Sequence, residues 1–474
     1  MIGNDLVWPS PTDPAFRLDS NYVRSWLVCK SRSTVVTKFQ PATAQASAPC
    51  LEVQPYQVRN SSSSIVKYWR SCWSDFVLPL IIFPVLLGLG CKYIYAEHIA
   101  AGLSESISAL CPPSFQNPTH PPFTLMSSKA YLRSYTFISS VDYVVCRLIA
   151  FFHLLLDSPF HAPRKFMSYL FGTGPPFVIT PFIEAYRYRG KQHWLLRYPT
   201  FWLMMSQIVT LGIVSTIYWP LLLISRARSS EAEENNKRTN SGTKNLKKTY
   251  PGREKVAKLM GPAQAEGLAF GLATGYLLPS VATVLHNNPF TTWIWQLYPM
   301  YVAFARAVYI ALRAPHTDNE NETKETLKPH RQNAIRTLYI ACFLITSITH
   351  ILFVWPLFQD SDWKVQTTDF LIPLRPTTGA HPSRHAHNLF KWDYALGYGS
   401  ILVGLLWSAR SFGQVVMMVL WYAIAIPAFG VGGAVMGILA WRDLLEVGCE
   451  ESNSWLGDGD RVVVHWSMGR ETRN

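Results

Sequence analysis

The chain is short of charge. Of its 474 residues only 15% are Asp, Glu, Lys or Arg, against about 25% in an ordinary soluble domain, while 49% are hydrophobic. A typical water-soluble enzyme is therefore a poor first reading. Mean hydropathy is only +0.09, so the apolar residues must be gathered in long blocks between polar connectors, as in a multi-pass membrane protein. Cysteine patterning is missing too. The eight Cys include no C-x-x-C pair and no regular spacing with His, so neither a zinc framework nor a disulfide scaffold is indicated. The first 70 residues lack the basic-then-apolar design of a signal peptide, which leaves insertion to the first membrane helix. Acidic residues are outnumbered, 30 against 43 Lys and Arg, for a net charge of +13. In a membrane protein such charge gathers in cytosolic loops, and we expect no nucleic-acid partner.

Aromatics are abundant: 17 Trp, 22 Tyr and 25 Phe make 14% of the chain. That suits interfacial belts and equally a pocket lined with π faces. Apolar runs at 77–95, 138–156, 199–225, 263–285, 291–312, 336–358, 394–409 and 414–441 predict an all-α fold, a polytopic transmembrane bundle of about eight helices, with seven to nine as the range. The bundle should occupy 75–445, between a polar N-terminal segment 1–74 and a polar tail 446–474. Residues 167–183 are apolar but contain Gly172, Gly174, Pro175, Pro176 and Pro181, which predicts a re-entrant or broken segment. In the helix over 263–285, Gly267, Gly271 and Gly275 recur every four residues, a spacing that lets a second helix come close.

The connector 226–258 carries ten Lys and Arg and should be cytosolic. If 167–183 does not cross, the N-terminus is lumenal and the sequon at Asn60 is open to glycosylation, while that at Asn321 is cytosolic. If it does cross, everything before it inverts. Endoplasmic reticulum is the expected membrane.

Ionisable groups inside a bilayer are costly and so are functional candidates. Asp142 has Arg147 as a possible buried partner, and Asp443 beside Arg442 reads as a solvated helix end. Glu184 is a candidate acid, with an ion pair to Arg187 or Arg189 as its structural role. Glu266 is a candidate acid or orienting group, against a simple helix-dipole role. Asp393, between Trp392 and Tyr394, is the strongest candidate, since an apolar setting favours the protonated carboxyl that a general acid needs; pairing with Lys391 is its alternative. His286, Trp295 and Gln296 cluster at the turn after 285 and, with Tyr276, Trp392 and Tyr394, are candidate substrate contacts. An aromatic belt accounts for most of that cluster without chemistry.

Several sharper motifs are absent. There is no D-D-x-x-D or N-D-x-x-D box, so magnesium-assisted diphosphate ionisation is disfavoured, and no D-x-D-D acid motif. Asp360 and Asp362 resemble half of the latter but lie in a polar loop. His381, His385 and His387 resemble one box of a di-iron hydroxylase without its companions. His350 suits packing better than acyl transfer. We therefore expect no metal and no cofactor.

GLATGYLLP at 271–279 and WQLYP at 295–299, with FIEAYR at 182–187 and KWDY at 391–394, resemble the fungal membrane-bound terpene cyclases of meroterpenoid biosynthesis, the ascofuranone type. The resemblance implies acid-initiated cyclisation of a farnesyl chain, through its alkene or terminal epoxide, on a prenylated aromatic or polyketide-derived substrate, with no metal and no loss of diphosphate. The residues fit this independently: a buried acid supplies a proton, aromatic faces stabilise carbocations, and exclusion of water prevents early capture. The alternatives are a proton- or ion-coupled transporter, against which stands the lack of an internal repeat, and a non-catalytic membrane scaffold.

Overall fold

A computed structural model of the chain describes residues 77–111, 136, 138–187, 193–240, 260–313, 324–377, 379–409 and 411–454. Among them there is no strand. Asn60 and Asn321 lie outside the described residues.

The helices are α1 (Leu78–Ala100), α2 (Leu103–Leu110), α3 (Ser139–Leu156), α4 (His161–Thr173), α5 (Pro175–Arg187), α6 (Pro199–Val209), α7 (Leu211–Asn240), α8 (Pro262–His286), α9 (Pro289–Gln296), α10 (Tyr298–Arg313), α11 (Lys324–Val354), α12 (Trp363–Leu371), α13 (Pro382–Leu406) and α14 (Phe412–Ser454). Five stretches are long and apolar enough to cross a membrane: α1, α3, α8, Asn333–Gln359 and Phe412–Asp443. Their outer sides carry bare Leu, Ile, Val and Phe, such as Val144, Leu285, Leu352, Phe358 and Ile424, as a lipid-facing surface requires.

Residues 167–183 are a broken helix that continues through the bundle. Pro175 has no N–H to offer the Phe171 carbonyl four residues back; that carbonyl takes the Gly174 N–H at 3.4 Å and the Tyr276 hydroxyl at 2.9 Å instead, and at the same break Tyr398 donates to the Thr173 carbonyl. Gly174 makes room for the Tyr276 hydroxyl, since a Cβ there would lie 1.9 Å from its oxygen. From α4 beside the start of α13, where Phe166 meets His387, the chain runs to Arg187 beside Asp443.

The run 199–225 is not one span, as its hydropathy suggests, but a hairpin. Thr210 has φ 97° and ψ 150°, a conformation foreign to β-branched residues, and it folds α6 back on α7. Trp202 packs edge-on to Tyr218 with centroids 5.4 Å apart, and His193 N–H reaches Ser225 Oγ at 3.2 Å. The last helix folds back likewise at Gly430 (φ 78°), so that Trp421 Nε1 donates to the Ala434 carbonyl at 3.0 Å. His350 closes that bend, with Nδ1 3.1 Å from Tyr169 Oη and Nε2 3.2 Å from the Pro427 carbonyl.

The glycine seam forms as its spacing predicts. Cβ atoms at Gly271 and Gly275 would fall 2.6 and 2.4 Å from the Val302 backbone of α10, so only glycine permits this approach. Three other expectations are corrected. Cys111 and Cys146 form a disulfide, a pairing invisible in irregular spacing because it depends on α2 crossing α3. Asp142 accepts from the N–H and hydroxyl of Thr136 at 2.7 and 2.8 Å, and Arg147 reaches Ser104, five helical residues being the wrong offset for the two to share a face. Asp443 is buried, not solvated, because α14 continues past it.

Candidate active site

α13 is the central element. Along it Ser383, His385, His387, Asn388, Lys391, Asp393, Tyr394, Tyr398 and Ser400 are all buried, an accumulation of polar groups that a purely structural membrane helix would avoid. It begins at Pro382 behind His381, whose Nδ1 accepts from Ser383 N–H at 3.2 Å. Asp393 therefore lies three turns into the helix rather than at its mouth.

The Asp393 carboxyl meets the apex of the α6–α7 hairpin. Its Oδ1 accepts from Gly212 N–H at 2.5 Å and its Oδ2 from Leu211 N–H at 3.3 Å, serving two of the orphan donors at the start of α7. A Cβ on Gly212 would lie 3.0 Å from both the Asp393 carbonyl and Oδ1, so the approach depends on glycine. Among the described residues no Lys, Arg or His forms an ion pair with Asp393. Lys391 instead donates to the Asp369 carbonyl at 2.9 Å. Under the hairpin, Phe177, Trp202, Leu211 and Trp219 help enclose a cavity of about 30 Å³, room for a water molecule.

Two groups of packed rings, an aromatic wall in two parts, border α13. In one, the Tyr394 ring meets Phe166, Tyr169 and Tyr398, and its hydroxyl lies 3.3 Å from that of Tyr169. In the other, Phe390 packs on Phe151 and Phe152, and Phe152 on Trp295. Trp295 also meets Phe171 and Tyr298, and its Nε1 donates to Ser280 Oγ at 2.9 Å. Tyr276 stands edge-on to Tyr298. Thus Trp295 and Tyr276 belong to one part, and Tyr394 to the other. Trp392 is half-buried on another side, stacked on Tyr93 with centroids 4.3 Å apart. His286 is exposed at the end of α8. Gln296 is buried.

The other two candidate acids lie elsewhere. Glu184 is fully buried where α5, α7 and α14 meet, paired with Arg226 and, at 2.7 Å, with Arg442. Asp443 pairs with Arg187 and accepts from Tyr339 Oη at 2.7 Å. This network ties four helices together, α5, α7, α11 and α14, and breaking one partner of such a buried pair costs about 3–5 kcal/mol. Glu266, with its side chain 32% exposed, pairs with Arg313 and accepts from Tyr309 Oη at 2.9 Å, linking α8 to α10.

Residues 123–446 match the family model of the CtvD domain, a stretch that contains the hairpin, the aromatic wall and Asp393. The chain belongs to the CtvD family. This agrees with the resemblance to fungal meroterpenoid terpene cyclases carried by the short helix motifs. It is also similar to the terpene cyclase ascI of Acremonium egyptiacum, 22% identical over 278 residues, which are 56% of this chain and 65% of that protein. No solved structure matches. Within the CtvD match, the sequence pointed to Asp393 and Trp295 but not to Tyr169, Tyr398 or the hairpin apex. The sign available for the apex was the Gly212 that interrupts an apolar run, and for Tyr169 its place one turn before the Gly-Pro-Pro break.

Proposed function

We propose that this member of the CtvD family is an integral-membrane terpene cyclase of the endoplasmic reticulum. It would start the cyclisation of a farnesyl chain by protonating an alkene or terminal epoxide, on a prenylated aromatic or polyketide-derived substrate that reaches the bundle from the bilayer. Family membership and the named relative support the reaction class. The observation that carries the mechanism is Asp393: of the three candidate acids it alone has no ion-pair partner among the described residues, and it is the neighbour of Tyr394 on α13. Its two oxygens accept from Gly212 and Leu211 N–H, which fixes the carboxyl at the hairpin apex.

In this mechanism the Asp393 carboxyl protonates the substrate: either an epoxide oxygen takes the proton on a lone pair and its C–O bond breaks toward that oxygen, or an alkene π pair forms the new C–H bond, and a carbocation is left on the neighbouring carbon. The faces of Trp295 and Tyr394 stabilise the migrating cation, and the apolar walls keep water from it. Glu184 and Glu266 hold helices together.

Microsomes carrying the chain, incubated with a farnesylated phenol or its epoxide, should give cyclic isomers of unchanged mass. Asp393→Asn keeps an acceptor for Gly212 N–H but has no acidic proton, so it should express normally and form no product. Wild-type activity in that variant would remove Asp393 as the acid. Solute accumulation in reconstituted vesicles, with no isomer from any substrate of the panel, would favour the transporter instead.

A further inference from the structure

A second polar constellation lies where the end of α3 meets α9. His153, on the last turn of α3, has a fully buried side chain. Its Nδ1 is 2.8 Å from Asp157 Oδ2, and its Nε2 is 3.1 Å from Thr292 Oγ1 on α9. Asn287 Nδ2 donates to the other Asp157 oxygen at 2.7 Å and so fixes the carboxylate. The Asp157 side chain is 23% exposed. The pair thus leads from the surface to a buried imidazole. Its bond to Thr292 ties the imidazole to α9, the helix that carries Trp295.

An i, i+4 His–Asp pair can be no more than a helix-end bridge. Gln296 argues for more. It lies one helical turn after Thr292, on the same face of α9, and only 7% of it is exposed. Neither its amide nitrogen nor its amide oxygen has a partner among the described residues. An unmet polar atom in such a place costs about 1–3 kcal/mol, and here there are two. A primary amide offers a donor and an acceptor together, matching a hydroxyl or phenol on a substrate.

We propose that His153 is the base that ends the cyclisation, at a subsite where Gln296 holds an oxygen function of the substrate. This rests on the cyclase reading above. Neutral His153, with its proton on Nδ1 facing Asp157, takes a proton at Nε2 from the carbon next to the final cation. The C–H electron pair becomes the new C=C bond. Thr292 frees Nε2 by turning its hydroxyl to the Asn288 carbonyl, 3.3 Å away. The imidazolium then passes its Nδ1 proton to Asp157 and on to water, and the proton left on Nε2 exchanges to Nδ1 through water before the next turnover. One proton enters at Asp393 and one leaves at His153, so substrate and product are isomers. Asp157 is a positioning residue.

The test uses the full chain in microsomes, with the farnesylated phenol or epoxide on which the wild type is active. His153→Gln should lower kcat by about a hundredfold, leave KM nearly unchanged, and divert the residual product to water adducts or misplaced alkenes. Asp157→Asn should give the same diversion, and Gln296→Leu should raise KM. A structural role would lower the yield of folded protein without changing which products form. If His153→Gln does not fold, the product pattern of Asp157→Asn decides. The wild-type product pattern in both variants that fold overturns the proposal and leaves the cyclase reading standing. A wild type inactive on every substrate overturns that reading, and the proposal with it.

Discussion

At the scale of single residues, much of the site consists of side chains repairing the backbone. Pro175 leaves the Phe171 carbonyl without its i+4 donor, and the Tyr276 hydroxyl joins the longer Gly174 N–H bond there. Tyr276→Phe should therefore lower stability by about 0.5–1.5 kcal/mol, the net worth of one hydrogen bond, while keeping the ring that faces Tyr298. A thermal melt in detergent, compared with the isomer yield, separates the two effects: a lower melting temperature with product retained is expected, and loss of product at an unchanged melting temperature would give the hydroxyl a chemical role. The break itself was legible, because proline and glycine act locally. The tyrosine that mends it was not, since it comes from 105 residues away. The same distance hid the Glu184 network: FIEAYR offered Arg187 and Arg189, yet Arg226 and Arg442 are the partners that bond Glu184.

At the scale of elements, hydropathy locates the apolar helices but not their bends. Hydropathy marks 199–225 as one span, and nothing in Val209, Thr210 and Leu211 announces a reversal. The reversal depends on Asp393, on another helix, accepting the N–H groups that a folded-back α7 exposes. The glycine seam between α8 and α10 was legible because a period of four is a property of one helix. Gly212→Ala tests the dependence. A methyl 3.0 Å from Oδ1 and from the Asp393 carbonyl and 3.1 Å from Leu396 Cβ must push the hairpin apex away from the carboxyl. We expect cyclase activity to fall about as far as in Asp393→Asn, at a stability cost of about 1–3 kcal/mol for overpacking. Gly399→Ala, where an added Cβ meets nothing within 4 Å, is the control on α13. Full activity in Gly212→Ala would show that the apex does not need to touch Asp393.

At the scale of the whole molecule, the helix ends sort onto two faces. α7 leaves for the basic connector past Arg226, and the same face holds the end of α5 at Arg187, Arg442 and Asp443. α1 starts there as well, because Phe83 meets Trp407 at the end of α13 while Tyr93 meets Trp392 further along. The opposite face holds the start of α13, the end of α8 and the end of α3, joined by Asp157 to Asn287 and Ser158 to Ser383. Ten basic residues in 226–258 lead us to expect the connector's face in the cytosol. The Cys111–Cys146 disulfide follows the far end of α1 by way of α2, and a disulfide is the bond an oxidising compartment keeps, so the expectation for that far face is the lumen. In sealed microsomes, added protease should cut the connector. A sequon introduced between α12 and α13 should gain a glycan, whereas Asn321, between α10 and α11 on the connector's face, should stay bare. Glycosylation at Asn321 with a protected connector would reverse the orientation, and Asp157 would then pass its proton to the cytosol rather than the lumen.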